Sequence, residues 1–193
     1  GVLVDGGAQL QLTNVNVISN TATNSGGGLD IENGSVMMLN GAVDLFAELG
    51  RLKFPFGMVG NGQLVTAELA RQLVLSGMRS ISISLDAPEE LNDKLRGRGS
   101  FRRACEALGH FQAAGFTGNL EVMSTLTKPA VAHLAETRAA VAAMRVPLWR
   151  IVPVMPIGRA AERPELVPGP AELRAMLEFV RAARRDGQAP VPE

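Results

Sequence analysis

Apolar and polar residues alternate strictly along residues 80–86, which read SISISLD. Successive side chains of a strand point to opposite faces, so Ile81, Ile83 and Leu85 share one face, while the serines and Asp86 share the other. The apolar face is suited to packing under helices, whereas buried hydroxyl groups on the polar face need hydrogen-bond partners. The stretch therefore predicts a strand whose polar face meets either solvent, as in an antiparallel sheet, or a ligand.

From residue 41 onward, short apolar runs with strand character alternate with segments whose apolar residues recur at helical spacing. Three further strands are predicted, at 56–59, 120–126 and 148–152. Helices are predicted at 43–52, from a Thr66 cap to Gly77, from a Ser100 cap to Gly115, at 131–144 and from Pro170 to Gly187. Strands that alternate with helices favour parallel strand–helix units, in either a doubly wound sheet or a barrel. A full eight-stranded barrel takes about 250 residues, so we expect at most part of one.

The first 41 residues have a different composition, rich in Gly, Asn, Thr and Val and poor in charge. The pattern of residues 2–13 reappears at 29–40, with Gly7 matched by Gly34. This segment is similar to the parallel β-helix repeats of autotransporter-type and polymorphic outer-membrane proteins. It holds about one and a half coils, whereas such repeats need about three neighbours to bury their faces. The alternative is a pair of unrelated hairpins with Asn-Gly turns.

Composition and charge narrow the function classes. Lys+Arg and Asp+Glu each number 19, so the formal net charge is zero and favours neither nucleic acid nor an anionic membrane as a partner. No apolar run could span a bilayer and no signal-peptide pattern opens the sequence, so we expect a cytoplasmic protein. Cys105 is the only cysteine, which excludes an internal disulfide and leaves no set of thiols for a metal or cluster.

Short motifs follow the predicted strands, where functional groups gather in parallel α/β folds. They are residues 60–62 (GNG), 84–97 (SLDAPEELNDKLRG), 124–127 (STLT) and 155–160 (MPIGRA). In this order they resemble the radical S-adenosylmethionine (radical SAM) enzymes, in the branch with a cysteine-rich C-terminal extension (SPASM) that often modifies peptides. The second motif is similar to the family's SLDGPxExHDxxRG, the first to its TNG and the last to its PxGRA. The resemblance covers residues 44–187.

The resemblance implies a partial (βα) TIM-type barrel that binds S-adenosylmethionine at its mouth. Ser84 would then hydrogen-bond the ribose or carboxylate of S-adenosylmethionine, and Arg96 would reach its carboxylate with a planar fork of donors. Asn61 would line the same mouth, and backbone or apolar atoms near Val154 would face the adenine. Asp86 is either a ligand contact or a turn cap after the strand.

Other polar candidates have simpler interpretations. His110 and His133 lie on predicted helices without an obvious third ligand, which favours surface or core histidines. Glu121 either points into the mouth of the barrel or is solvated at a strand edge. We therefore expect no metal site.

The sequence departs from the family at the loop that defines it. The family's CxxxCxxC loop holds a [4Fe–4S] cluster through three thiolates, and nothing in this sequence replaces them. Cys105 lies on a predicted helix face among apolar residues, which favours a buried side chain. The family's GGEP run and the cysteine-rich extension are also missing. We therefore expect no catalytic residue and no radical chemistry in this chain.

The seam near residue 41 predicts three segments: a β-helix-like segment at 1–41, a truncated radical SAM core at 42–187 and a disordered tail at 188–193. The leading hypothesis is a truncated or hybrid radical SAM core. Its parent activity would be reductive cleavage of S-adenosylmethionine for the modification of a peptide or protein. The alternative is a non-catalytic module that binds S-adenosylmethionine or a partner. A third hypothesis, a surface-protein fragment built on residues 1–41, is disfavoured by the small number of coils.

Overall fold

The computed structural model describes residues 46–47 and 49–192, so the predicted β-helix-like segment lies outside the described residues. Within them, strands and helices alternate as the periodicity predicts. The strands are β1 (Gly57–Gly60), β2 (Ser80–Ser84), β3 (Asn119–Leu126), β4 (Leu148–Pro153) and β5 (Val191–Pro192). The α-helices whose bounds are described are α1 (Ala67–Leu75), α2 (Glu89–Arg96), α3 (Ser100–Ala113), α4 (Leu134–Ala143) and α5 (Pro170–Asp186). Residues 46–47 and 49–51, within the helix predicted at 43–52, are also helical. Single 3₁₀ turns lie at Pro129–His133, Gly158–Ala160 and Pro164–Leu166.

The five strands form one parallel sheet in the order β1-β2-β3-β4-β5. Since β2 pairs in parallel with both β1 and β3, the antiparallel interpretation of residues 80–86 is wrong. Each strand lies beside the next strand of the sequence, without the reversal of order that characterises a doubly wound sheet. This order is consistent with part of a (βα) barrel. None of the helices in the described part is both long and apolar enough to cross a bilayer.

One face of the sheet packs against the helices. Ile83 pairs in register with Val122, and Val122 with Trp149, so their side chains project to the same side of the sheet. All three are completely buried, and they join Leu108 and Phe111 of α3 in a single hydrophobic core. The alternation of SISIS is thereby explained, because the isoleucines of β2 point into this core.

The opposite face of the sheet carries Ser82, Ser84, Glu121, Met123 and Arg150, and is called the inner face below. Register aligns Ser82 with Glu121, Ser84 with Met123, and Met123 with Arg150. The face is polar without being simply solvated, because both Ser82 and Glu121 are 7% exposed. A buried polar face of this kind calls for specific partners for its oxygens and nitrogens.

The predicted cap of α1 is confirmed. Thr66 has extended backbone geometry, and its Oγ1 accepts a hydrogen bond from the backbone N–H of Leu69 at 3.1 Å. This satisfies one of the four N–H groups that the first helical turn leaves without an internal partner.

The predicted Ser100 cap of α3 is wrong, because a side chain from another helix performs that role. Asp93 of α2 accepts hydrogen bonds from the backbone N–H groups of Gly99, at 2.5 Å, and Phe101, at 3.0 Å. These two backbone donors lower the pKa of Asp93. Ser100 is the first residue of α3, and it donates its hydroxyl proton to the same carboxylate at 3.1 Å. The motif run at 84–97 carries no pattern that predicts α2 as a helix of its own, so the contact of Asp93 with α3 is not evident from the sequence.

The predicted disordered tail is wrong for residues 188–192. Val191 and Pro192 form β5, which pairs in parallel with β4. Arg138 of α4 reaches across to this segment and donates to the carbonyl oxygens of Gln188, at 2.5 Å, and Pro190, at 3.2 Å. It also pairs with Asp186 at 2.6 Å. The tail is ordered by contacts with distant residues, which its composition does not reveal.

Asp186 gives this contact a defined pH dependence. Its hydrogen bonds from Arg138 and from the backbone N–H of Gln188 lower its pKa from 3.8 to about 2. Ionised Asp186 therefore stabilises the fold fully above pH 3.8, and this contribution is lost as the pH falls through about 2. We expect Asp186→Asn to lower the urea midpoint at pH 5, and the difference from the unsubstituted chain to shrink towards pH 2. The exposed Glu178 on the same helix supplies the control, Glu178→Gln, which should show no such convergence.

A second prediction concerns the buried indole of Trp149. Its Nε1–H donates to Ser124 Oγ at 2.9 Å, and Ser124 in turn donates to the carbonyl oxygen of Leu85 at 2.5 Å. Ser124→Ala leaves a buried N–H without a partner, so we expect a loss of about 1–3 kcal/mol in the free energy of unfolding. The double variant with Trp149→Phe should lose less than the sum of the two single variants. Urea unfolding followed by circular dichroism measures all three, and additive losses would contradict the coupling.

Candidate functional site

The residues predicted to contact S-adenosylmethionine gather at the carboxyl edge of the sheet. Ser84 is the last residue of β2, Asn61 directly follows β1, and Val154 directly follows β4. Asn61 is exposed, and Ser84 and Val154 are half-buried. Asn61 Oδ1 accepts a hydrogen bond from the backbone N–H of Gln63 at 3.0 Å, which shapes the turn after β1. The backbone N–H of Val154 donates to the carbonyl oxygen of Leu126 at 3.0 Å, so the pairing with β3 continues beyond β4.

Asp86 and Arg96, which were predicted to share this site, bind each other. Arg96 Nε lies 2.5 Å from Asp86 Oδ2, and Arg96 Nη2 lies 2.9 Å from Oδ1. Asp86 Oδ1 also accepts the backbone N–H of Thr125 at 2.8 Å. The Asp86 side chain is 7% exposed and that of Arg96 is 25% exposed. A bidentate pair in this partly desolvated setting is among the stronger polar contacts available to a protein.

This pair changes the role that the sequence suggested for each residue. Both carboxylate oxygens of Asp86 have protein partners, so Asp86 acts as a structural link from the end of β2 to Arg96 and to β3. Arg96 has two of its three guanidinium nitrogens on Asp86. Arg96 Nη1 has no hydrogen-bond partner among the described residues, so a ligand carboxylate could engage part of the fork but not all of it.

A buried asparagine that the sequence analysis did not single out supports the same corner. Asn92 of α2 is completely buried. Its Oδ1 accepts the backbone N–H of Asp86 at 2.9 Å, and its Nδ2 donates to Ser100 Oγ at 2.9 Å. Asn92 therefore connects the turn after β2 to the start of α3. The sequence offered one indication of this role. Asn92 follows Leu91, which packs against the core, so a polar side chain lies close to the buried side of α2.

Glu121 and Arg150 form a second charged pair, deeper on the inner face. Arg150 Nη2 lies 3.3 Å from Glu121 Oε2. Glu121 Oε1 is buried and has no hydrogen-bond partner among the residues that the structure describes. Of the two roles left open for Glu121, solvation at a strand edge is therefore wrong, since the residue is 7% exposed. Periodicity alone could place Glu121 on this face, but its pairing with Arg150 depends on the register of β3 and β4.

Cys105 does not fit the role of a cluster ligand. It lies on α3 with its side chain half-buried, and its Sγ contacts Met144 Sδ at 3.8 Å. Burial raises the pKa of the thiol, and the charge of Glu89 adds to this effect, so the reactive thiolate form is disfavoured. Within residues 46–47 and 49–192, no group of three His, Cys, Asp or Glu side chains could hold a metal ion. The described residues therefore do not supply the thiolates that a [4Fe–4S] cluster needs.

Comparison with known proteins yields several curated relatives. No protein-family model matches the chain. It is 40% identical to the mycofactocin maturase MftC of Mycolicibacterium smegmatis over 103 residues, which is 53% of this chain and 26% of MftC. It is 28% identical to the AdoMet-dependent heme synthase of Nitratidesulfovibrio vulgaris over 124 residues, which is 63% of this chain and 33% of that protein. The chain thus spans a third or less of the length of these two relatives.

Solved structures show the same fold. SuiB of Streptococcus suis, in its complex with S-adenosylmethionine, matches 78% of this chain and 36% of its own with a TM-score of 0.62 and 17% identity. HemN of Escherichia coli, a coproporphyrinogen III oxidase described as a radical SAM enzyme, matches 78% of this chain and 38% of its own with a TM-score of 0.59 and 15% identity. The resemblance to the radical SAM superfamily is supported. The chain and these solved structures share a similar fold, while the individual site residues stay predictions.

The Asp86–Arg96 pair yields a test of its structural role. Arg96→Ala leaves a buried carboxylate with one remaining partner, so we expect a loss of about 3 kcal/mol in the free energy of unfolding. Asp86→Ala should also destabilise the chain, because the Thr125 N–H loses its acceptor. The double variant should lose about 1–3 kcal/mol less than the sum. Urea denaturation of the four proteins measures the coupling, and a coupling near zero would contradict a structural link.

Proposed function

We propose that this chain is part of a radical SAM enzyme core that uses S-adenosylmethionine to modify a peptide or protein substrate. The relative MftC is named a maturase, and the fold neighbour SuiB has been solved with the precursor peptide SuiA and with S-adenosylmethionine. Their names support a peptide as the substrate class. The SLDAPEELNDKLRG run, similar to a family motif, lies at the end of β2 and in α2, where a ligand at the carboxyl edge would be bound.

One observation carries the proposal: Asn61, Ser84 and Val154 lie at the same edge of the sheet, where Asn61 is exposed and the other two are partly exposed. Ser84 Oγ would bind the ribose or the carboxylate, Asn61 the same polar end, and Val154 the adenine. Arg96 would offer Nη1 to the carboxylate while Asp86 holds the guanidinium through Nε and Nη2. When bound, S-adenosylmethionine would present a sulfonium group, whose reductive cleavage requires an electron from a cluster that the single cysteine of these 193 residues could not hold.

The second candidate is a module that binds S-adenosylmethionine or a partner without catalysis. Cys105 favours it, because the only thiol of these 193 residues is half-buried against Met144 and desolvation raises its pKa. Both candidates share the same nucleoside contacts. They differ in whether a cluster can be assembled with this chain.

Titration calorimetry of S-adenosylmethionine into the purified chain tests the shared binding site. We expect Ser84→Ala and the conservative Arg96→Lys each to weaken binding about tenfold, the loss of roughly one good hydrogen bond. Ser80→Ala is the matched control, because Ser80 lies on the same strand and face but at the opposite end of β2. It should bind like the unsubstituted chain.

One outcome would count against the shared site. A folded chain that gives no heat of binding would contradict the enzyme core and the S-adenosylmethionine-binding module, and would leave only a module that binds a partner. If binding is found, anaerobic reconstitution with iron and sulfide distinguishes them. The visible absorbance of an iron–sulfur cluster together with cleavage of S-adenosylmethionine supports the enzyme core, and binding without either supports the module.

A further inference from the structure

Three large apolar side chains are exposed near the amino end of β1. Leu52 and Phe54 lie in the segment before β1, and Leu75 is the last residue of α1; they are 59%, 48% and 74% exposed. The two segments are in contact, because Gly50 packs so closely on the carbonyl oxygen of Ser76 that a Cβ atom would not fit there. Single apolar side chains on a surface are common, whereas several on adjoining segments are characteristic of a binding surface.

Two cations lie at the same end of the sheet. Lys53 belongs to the segment before β1, and the backbone N–H of Arg79 donates to the carbonyl oxygen of Phe56 at 2.8 Å, directly before β1. Both side chains are exposed, and neither forms an ion pair with the residues that the structure describes. An occupant of this surface would therefore combine apolar with acidic side chains. The surface is called the amino-end patch below and consists of Leu52, Lys53, Phe54, Leu75 and Arg79.

The backbone at Lys53 adopts a conformation that costs a lysine free energy. Lys53 has a φ of 53°, and its N–H donates to the carbonyl oxygen three residues earlier. The residues with the same hydrogen bond after α1 and α3 are Gly77, with a φ of 82°, and Gly115, with a φ of 72°. Glycine adopts this left-handed conformation without the steric cost that a side chain brings. An acidic partner for the Lys53 ammonium group would offset that cost.

The sequence contains a segment of complementary composition. Residues 1–45 include four acidic and no basic side chains, whereas residues 46–193 include 15 acidic and 19 basic ones. Residues 29–32, which read LDIE, alternate two apolar with two acidic side chains. This short run therefore carries the two kinds of group that the amino-end patch lacks.

The connection along the chain allows this run to reach the patch. The ring of Phe46 stacks on that of Phe56, with centroids 5.1 Å apart, so the chain arrives beside the start of β1. Residues 33–45 separate LDIE from Phe46 and can extend over about 40 Å. A segment tethered in this way has an effective concentration on the order of millimolar at its binding surface, so a few contacts are sufficient to hold it.

We propose that residues 29–32 of this chain bind the amino-end patch. Leu29 and Ile31 cover the three exposed apolar side chains, and Asp30 and Glu32 pair with the two cations. The contact lies at the amino end of the sheet, away from the carboxyl edge where S-adenosylmethionine is proposed to bind. It joins the acidic first part of the chain to the basic remainder.

Zero-length cross-linking of the full chain provides the test. A water-soluble carbodiimide joins a lysine amine to a carboxylate that is in contact with it, and the sequence has only three lysines. Lys94 lies 2.7 Å from Glu90, and Lys128 lies 3.7 Å from Glu172. These two pairs supply internal references for the yield, which peptide mapping by mass spectrometry measures.

We expect the amine of Lys53 to be joined to Asp30 or Glu32 in a yield within a few-fold of the references. Leu75→Ser removes an apolar contact without changing any amine or carboxylate, so the yield should fall about tenfold. Leu177→Ser, at an exposed leucine of α5, is the matched control and should leave the yield unchanged. Because both leucines are exposed, neither substitution should unfold the chain.

A mixture of ¹⁵N-labelled and unlabelled chains shows whether the run and the patch belong to one molecule. We expect each cross-linked product to carry a single isotope throughout. The proposal is overturned if the references form while Lys53 is not joined to residues 29–32, if labelled peptides are joined to unlabelled ones, or if Leu75→Ser leaves the yield unchanged. The reaction contains no S-adenosylmethionine, so its outcome is independent of the calorimetric test of the proposed function.

Discussion

The carboxylate of Asp86 is the interaction on which the carboxyl edge of the sheet depends. One side chain joins the end of β2 to the last residue of α2, through Arg96, and to β3, through the N–H of Thr125. Asn92 completes the corner by accepting the Asp86 N–H. Because both partners of the ion pair are largely withdrawn from water, removal of either leaves a charge without compensation. The position of Ser84, two residues earlier, therefore depends on this pair.

Much of the fold could be predicted because the signals were local. The alternation of residues 80–86 and the helical spacing elsewhere give the strands and most helices, since side-chain periodicity reflects which face is buried. The failures share a different cause. Asp93 caps α3 from another helix, and Arg138 orders residues 188–192 from a distance of about fifty residues along the chain. Contacts between distant residues leave no periodic trace in the sequence.

The sequence predicted where the candidate site residues lie in the fold, but it did not predict which of them contact each other. The family-like run at 84–97 places Ser84, Asp86 and Arg96 near one edge, and the structure brings all three there. The spacing of these residues could not show that Asp86 and Arg96 form a bidentate ion pair with each other. A charged residue in a motif can bind the ligand directly or hold another residue, and only the geometry distinguishes the two. Here Asp86 binds Arg96 through both carboxylate oxygens, and a ligand contact of Arg96 stays a prediction.

The inner face of the sheet buries polar side chains at a cost in folding free energy. Its register partners Ser82 and Glu121 are both 7% exposed, although apolar side chains there would avoid the cost of desolvation. On the other face of the same strands, Ile83 and Val122 are completely buried and leave no polar atom without a partner. The contrast cannot arise from the needs of the sheet, since the same backbone pairing supports both faces. The polar face leaves one carboxylate oxygen, Glu121 Oε1, without a hydrogen-bond partner among the described residues, which is a cost that apolar side chains at this depth would not carry.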